Sequence, residues 1–446
     1  MEIPRFMRFD ADVKDTDFLA LLVRCCQITG QSAWDKKFEW LRQERRSNPF
    51  LHEWLHERHA IEIKLLQLLL QQQETGHFPL AITDEEQYRL YGFVATVARA
   101  HENLSLAGRN RLRGMLLDGL KSENGLMSLQ HEMTTAVHLM TRGFDVEFND
   151  MENGTGVDYV ARKDGIEIEV ECKMFTGDVG RQIHKRRVLS LHKALAPIVE
   201  RVYESAHRGI FIRVTIPGRL TSNDAQISGI ASTVSRGVLA GTATTHTDCC
   251  DVSIRDFDIA SSPFAVNRIE DISRKDVAAF IGQKFGNANP NLVIFVSPGR
   301  SATVAMVESA RADMVLKGIE RQLRDSSKGQ FTATRPGILA VQLYDLTPQQ
   351  LIDLGRSDGS TLRSVTGLQL MTTHLLNSHN RNNIHTVVYT SHGVVKSDGG
   401  VISSSGPAYF VRNPNNPAYD DQRYWIFGTQ DGAPKQSSIA LLDHWG

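Results

Sequence analysis

Asp158, Glu171 and Lys173 are spaced so that one tight turn would bring them together. Asp164-Gly165 stands between two alternating runs. That dipeptide is a strong hairpin signal, because a type I′ turn needs positive φ at both central positions. Counting outward from it sets Lys163 opposite Ile166, Arg162 opposite Glu167, Val160 opposite Glu169 and Asp158 opposite Glu171. Opposed residues share a face, with Cβ atoms about 4.5–5.5 Å apart. Two carboxylates so close repel, so one must take up a proton or a divalent cation must lie between them. Mg²⁺, or Mn²⁺ in its place, takes one or two carboxylates and completes its shell from water and phosphate oxygens. It would polarise a scissile phosphate and lower the pKa of an attacking water. Lys173, two residues past Glu171, can orient that water, act as its base or neutralise charge on the phosphate. Metal, water and lysine together would suit phosphodiester hydrolysis.

The strand carrying Glu171 alternates strictly. Ile166, Ile168, Val170 and Cys172 go to the core, and Glu167, Glu169, Glu171 and Lys173 to the other face. Glu167 and Glu169 read as solvated surface carboxylates, with Arg162 and Glu167 as a cross-strand ion pair. Cys172 reads as a small buried hydrophobe and not a nucleophile. Around the hairpin, a helix is expected from Ser128 to about Thr141, stopped by Gly143. A strand follows at 144–148, with Phe144, Val146 and Phe148 on one face, and then a polar loop at 149–155. After the hairpin come a helix over about 181–205 and an apolar strand at 210–216. The order is helix, strand, strand, strand, helix, strand.

With that order, residues 128–216 resemble the PD-(D/E)xK nuclease superfamily, and its Mrr-type restriction-endonuclease branch most. The motif pieces are Gly156-Val157-Asp158-Tyr159 and Glu171-Cys172-Lys173, with Val157 where the family name has proline. The resemblance implies a restriction-endonuclease-like αβββαβ core in which Asp158 and Glu171 bind Mg²⁺ or Mn²⁺ and Lys173 is catalytic. It also implies a supporting metal-site carboxylate at Glu132, a catalytic Gln182, and Arg142–Glu147 as the turn from first helix to first strand. The activity implied is that of a DNA endonuclease, with defence against foreign DNA as its setting. Two centres, as in a homodimer, would serve double-strand cutting.

Residues 181–219 hold nine Lys or Arg, against only Glu200 and Glu204. Contact with the phosphate backbone needs such a patch, and Arg181, Lys185, Arg186 and Arg187 are the candidates. The patch matters because the whole chain of 446 residues carries a net charge of −1, so affinity for nucleic acid must be local. The five cysteines show neither a disulfide framework nor a zinc spacing, Cys249-Cys250 with His246 and Asp248 included. His131 and His138 read as ordinary helix residues. Pro298-Gly299-Arg300-Ser301, between an expected strand and an expected helix at 303–324, could cradle a phosphate at a helix N-terminus. It lacks the pattern of a nucleotide-binding loop.

The fold class is α/β. Residues 1–125 read as helical, 126–216 as the nuclease-like core and 217–446 as a further α/β region. In the last, strands are expected at 292–296, 338–343, 386–389 and 409–411, a helix at 361–377, and a Gly/Ser-rich loop at 397–406. The tryptophans at 34, 40 and 54 suit core packing. No secretory signal or membrane-spanning stretch is evident, which points to a cytoplasmic protein with no membrane partner. A rival reading is a catalytically inactive, nucleic-acid-binding protein that retains the nuclease fold, and another is a pure interaction protein.

Overall fold

The computed structural model describes residues 6–9, 15–78, 84–205, 208–286, 291–297, 299–358, 364–378, 380–398, 401–427 and 439–445. Helices fill the N-terminal third, as α1 (Asp15–Thr29), α2 (Gln31–Ser47), α3 (His52–Arg58), α4 (Ala60–Thr75), α5 (Glu85–Asn103) and α6 (Leu106–Lys121). Asp84 and Ser105 cap α5 and α6 by accepting from Gln87 N and Gly108 N. Then come α7 (Met127–Thr141), β1 (Asp145–Phe148), α8 (Asn149–Asn153), β2 (Tyr159–Lys163) and β3 (Ile166–Phe175). Next are α9 (Lys185–Ser205), β4 (Gly209–Ile216), α10 (Asp224–Ala240), β5 (Thr244–His246), β6 (Asp251–Phe257), α11 (Arg274–Phe285), β7 (Leu292–Ser297) and β8 (Ser301–Ser309). The chain closes with α12 (Val315–Gly329), β9 (Gly337–Leu343), α13 (Pro348–Asp358), α14 (Gly367–Leu376), β10 (Ile384–Thr390), β11 (Val394–Asp398), β12 (Val401–Arg412) and β13 (Ile439–Trp445).

Two compact units divide the chain. The first is Met1–Arg42, His56–Val179 and Val315–Gly446, and the second is Gln43–Leu55 and Gly180–Met314. The sheet of the first unit runs β1-β2-β3-β9-β10-β12-β11, with β13 also on β12. β1, β2 and β3 form an antiparallel meander, and β9 lies parallel to β3, pairing Glu171 with Leu339 and Lys173 with Val341. One face packs α12, α13 and α14 over Phe175, Leu339, Val341 and Tyr389. On the other face α7 is tied to the sheet through His131 Nε2 and Ala340 O, 3.0 Å apart. In the second unit the order is β5-β6-β4-β8-β7, with only β4 and β8 parallel.

The hairpin register is the one the turn dictates. Tyr159 to Lys163 pair with Val170 to Ile166, and Asp164 and Gly165 take φ of 49° and 76°. The continuation after β3 differs from expectation. The strand at 210–216 forms, but it pairs with β6 and β8 in the second sheet. The place beside β3 goes to β9, after residues 180–314 have intervened. Its apolar alternation made β4 a strand, whereas the choice of sheet was set by a parallel partner far along the chain.

Other differences have local causes. Residues 301–309 are a strand and not the start of a helix, since Ser301 to Val307 are buried in the middle of a sheet. Gly299 and Arg300 therefore belong to a hairpin connection, with Ser297 opposite Ser301, and no helix N-terminus follows them. Pro298 lies outside the described residues, as do Pro79, residues 361–363 and residues 399–400. The Ser-rich run is strand, with Ser397 opposite Ile402. The polar segment after β1 is the short helix α8.

The charged face of β3 is only partly solvated, with Glu167 half-exposed but Glu169 buried. Glu169 is 0 % exposed and accepts from Thr332 N at 2.9 Å, from Thr332 Oγ1 and from Arg335 Nη1 at 3.3 Å. Arg335 Nε also donates to Glu167 Oε2 at 2.7 Å, taking the role expected of Arg162, whose guanidinium lies 4.1 Å from the Phe6 ring centre. A buried carboxylate is costly unless it keeps such donors. Arg335→Ala should therefore lower stability by about 1.5–3 kcal/mol, read as a lower urea midpoint, with Arg335→Lys in between. An unchanged midpoint would show that the Thr332 donors alone satisfy Glu169.

Candidate active site

The sheet and α7 hold four of the expected residues in one electrostatic neighbourhood of the first unit. Asp158 precedes β2, Glu171 and Lys173 lie on β3, and Glu132 lies on α7 next to the tethered His131. Asp158 Oδ2 accepts from Cys172 N at 2.6 Å, which fixes the carboxylate against β3. Lys173 Nζ donates to Glu171 Oε1. Glu171 is 0 % exposed, and its other oxygen, Oε2, is buried with no hydrogen-bond partner in the protein.

Protonation follows from this crowding. Burial, then the Asp158 charge, push Glu171 up to about 8, against the pull of Lys173. Burial raises Asp158 to about 6, although the Cys172 N–H and Lys173 oppose it. Glu132 is held well above the ordinary carboxylate range by burial and by Asp158 and Glu171. Burial would depress Lys173, but Glu171 and Asp158 outweigh it and keep the ammonium protonated above the usual lysine value. Burial raises the Cys172 thiol, so it is no nucleophile. His131 and His138 are buried and fall to about 4, neutral imidazoles of the core.

Two further residues shape the site. Asn149 Nδ2 donates to Thr155 O at 3.0 Å and Val157 O at 2.9 Å, and Asn149 N donates to Asp158 O at 2.9 Å. These bonds fold the segment before Asp158 back on itself. They also require Gly156, whose φ is 93° and where a Cβ would lie 2.9 Å from Asn149 Nδ2. Asp150, in the first turn of α8, adds negative charge felt by both Glu132 and Asp158. An Asn-Asp pair directly after a strand was the only sequence signal for either.

The remaining expected residues lie in the second unit. Gln182 N donates to Asp313 Oδ1 at 2.8 Å, and Gln182 Nε2 to Ala312 O at 3.4 Å. Arg186 donates to Glu44 Oε2 at 3.1 Å and lies 5.4 Å from the Trp54 ring centre, so it fastens residues 43–55 to α9. Arg181 faces Asp313 at 4.0 Å. Lys185 and Arg187 are half-buried near the start of α9. Trp34 and Trp54 are core residues.

Among the described residues, no group of three or more His, Cys, Asp or Glu is placed to hold a metal ion. The donors nonetheless suit a hard divalent cation. They are carboxylate oxygens, one of them buried and unpartnered, and burial with mutual repulsion keeps protons on them that a cation would displace. Among the described residues no helix is long and apolar enough to cross a membrane. Comparison of the chain with protein-family models, with curated proteins and with solved structures found no match.

A carboxyl raised from 4.5 to about 8 makes the folded state bind a proton that the unfolded chain releases. That contribution is neutral below the unfolded value and turns unfavourable as pH rises towards the folded one. Without divalent metal, the melting temperature of the wild type should fall between pH 5 and pH 8, and Glu171→Gln should reduce that fall by about 4 °C or more. Equal slopes for the two proteins would contradict the buried-charge account.

Proposed function

We propose that this protein is a metal-dependent nuclease, a DNA endonuclease with a restriction-endonuclease-like core, acting in defence against foreign DNA. The observation that carries the reading is the convergence of Glu132, Asp158, Glu171 and Lys173 at one place in the first unit. The succession α7, β1, β2, β3, α12, β9, with β9 parallel to β3, supports it. Apart from the short α8, that succession follows helix, three strands, helix, strand, with α12 and β9 in the places expected of residues 181–205 and 210–216 and residues 180–314 lying between.

Asp158 and Glu171, with Glu132 in support, would hold Mg²⁺ or Mn²⁺. When bound, that cation supplies Lewis acidity towards the scissile phosphate and a more acidic water. The chain's own residues do the rest. Glu171 and Glu132 must give up their protons, so binding of the cation is favoured as pH rises. Lys173 remains an ammonium, so it serves as a fixed positive charge and hydrogen-bond donor to the phosphate or the water, in preference to acting as a base. The proposed chemistry rests on these four residues of the first unit, with Gln182, in the second, as the further catalytic residue the family resemblance implies. The basic residues Arg181, Lys185, Arg186 and Arg187 would contact nucleic-acid phosphates. A second copy of the chain would supply the second centre needed to cut both strands.

The test is cleavage of supercoiled plasmid, linear duplex, single-stranded DNA and RNA in Mg²⁺, Mn²⁺ or EDTA. Wild type should cleave DNA only with metal, and Asp158→Ala and Lys173→Ala should each lose activity by about a hundredfold or more. Salt-sensitive DNA binding without metal-dependent cleavage would favour the inactive binding protein instead. Equal cleavage by wild type and variants would dismiss this centre.

A further inference from the structure

In the second unit, the carboxyl ends of the parallel strands β4 and β8 carry a cluster of arginines. The strands end together, with Ile216 opposite Ser309. The chain beyond them is laced by hydrogen bonds: Ala310 N to Ile216 O at 2.8 Å, Ser309 Oγ to Gly218 O at 2.9 Å, and Arg311 N to Ser309 Oγ at 3.0 Å. The segment before α9 joins them, since Leu220 N donates to Gln182 O at 3.1 Å and Met314 N to Gly180 O at 2.8 Å. Three segments, 180–184, 217–220 and 310–314, are thus fixed together.

Each segment brings an arginine. The Arg311 guanidinium passes so close to Gly218 that a Cβ there would lie 3.7 Å from it. Arg219 Nη2 lies 2.9 Å from His184 Nε2, and because arginine only donates, that ring nitrogen is the acceptor. Arg181 Nε is buried and has no hydrogen-bond partner in the protein. Against three guanidiniums stands Asp313, which already accepts from Gln182 N and faces Arg181. Glu308, at the end of β8, pairs with Thr215 and Arg213. The first turn of α9, beside the cluster, holds no acidic residue. Cations at that end of a helix run against its dipole, and an anion placed there would reverse the penalty.

We infer that Arg181, Arg219 and Arg311, at the carboxyl ends of β4 and β8, form a binding site for a phosphate group. Planar guanidiniums match phosphate oxygens two at a time, which makes arginine the residue suited to such a site. The crevice at the carboxyl ends of strands is also where open α/β sheets take ligands. The phosphate belongs either to a polynucleotide backbone or to a terminal phosphate or nucleotide. This inference rests on the nuclease reading for its biological sense, since it places phosphate recognition in the unit without the carboxylates.

Binding can be measured apart from cleavage. The full chain carrying Asp158→Ala, in EDTA, is titrated against a fluorescent DNA duplex over a range of salt, with pyrophosphate and a nucleoside monophosphate as competitors. Adding Arg219→Ala or Arg311→Ala should weaken binding about tenfold and reduce the salt slope by about one each. Arg219→Lys should recover part of the loss, and Arg268→Ala, at an exposed arginine paired with Glu270, should change nothing. Competition by pyrophosphate or the monophosphate at low concentration assigns the site to terminal phosphates, and resistance to both assigns it to the backbone. Either result, with the arginine effects, supports the site. Unchanged affinity and slope in the arginine variants, or no binding of any of these phosphates at low salt, overturns it. Arginine-dependent binding, alongside a wild-type chain that cleaves nothing with Mg²⁺ or Mn²⁺, would overturn the nuclease reading alone.

Discussion

The first unit depends on the parallel pairing of β3 with β9. Parallel neighbours cannot be joined by a tight turn, and their connection must leave the sheet and come back. Here the chain leaves after β3, builds most of the second unit, and returns through α12. Pairing with β9 buries β3, and Thr332 and Arg335, which satisfy Glu169, lie just ahead of β9. The same pairing makes β3 an interior strand, which is why Glu171 loses its water and Lys173 becomes its partner. A strand of alternating charge and aliphatic residues would be unremarkable on an edge. In the interior it becomes a place where carboxylates hold protons.

That burial sets the character of the centre. Glu132, Asp158 and Glu171 come from a helix, a turn and a strand, and each is poorly solvated where it stands. A fold that only sought stability would fill these positions with apolar residues. Retaining three acids and one lysine there gives up stability for a cluster of acids whose charge depends on pH. Asn149 and Gly156 serve the same end by holding the approach to Asp158 in one conformation.

Local features were legible in the sequence, and distant pairings were not. Asp164-Gly165 set the hairpin register because a two-residue turn leaves no freedom in it, and the neighbourhood of Asp158, Glu171 and Lys173 followed. Glu132, implied by the family resemblance and not by local pattern, lies on α7 where the charges of Asp158 and Glu171 act on it. What failed depended on partners far away. Ile210–Ile216 is as apolar as a strand beside β3 should be, and nothing in it says that β8 would claim it. Residues 303–309 were expected to open a helix, and Ala305, Met306 and Glu308 favour one, yet a place between two paired strands overrides that weak preference. Glu169 looked solvated because its donors, Thr332 and Arg335, lie more than 160 residues on.

The insertion also bears on the order in which the molecule can be made. A ribosome delivers residues 158–173 well before residue 337, and the whole of 180–314 must emerge in between. Until β9 arrives, β3 is an open edge and the acids on it remain hydrated. The intervening segment has its own sheet and cores and can collapse while the earlier sheet waits. A truncated or stalled chain therefore carries Asp158, Glu171 and Lys173 but not the strand that encloses them.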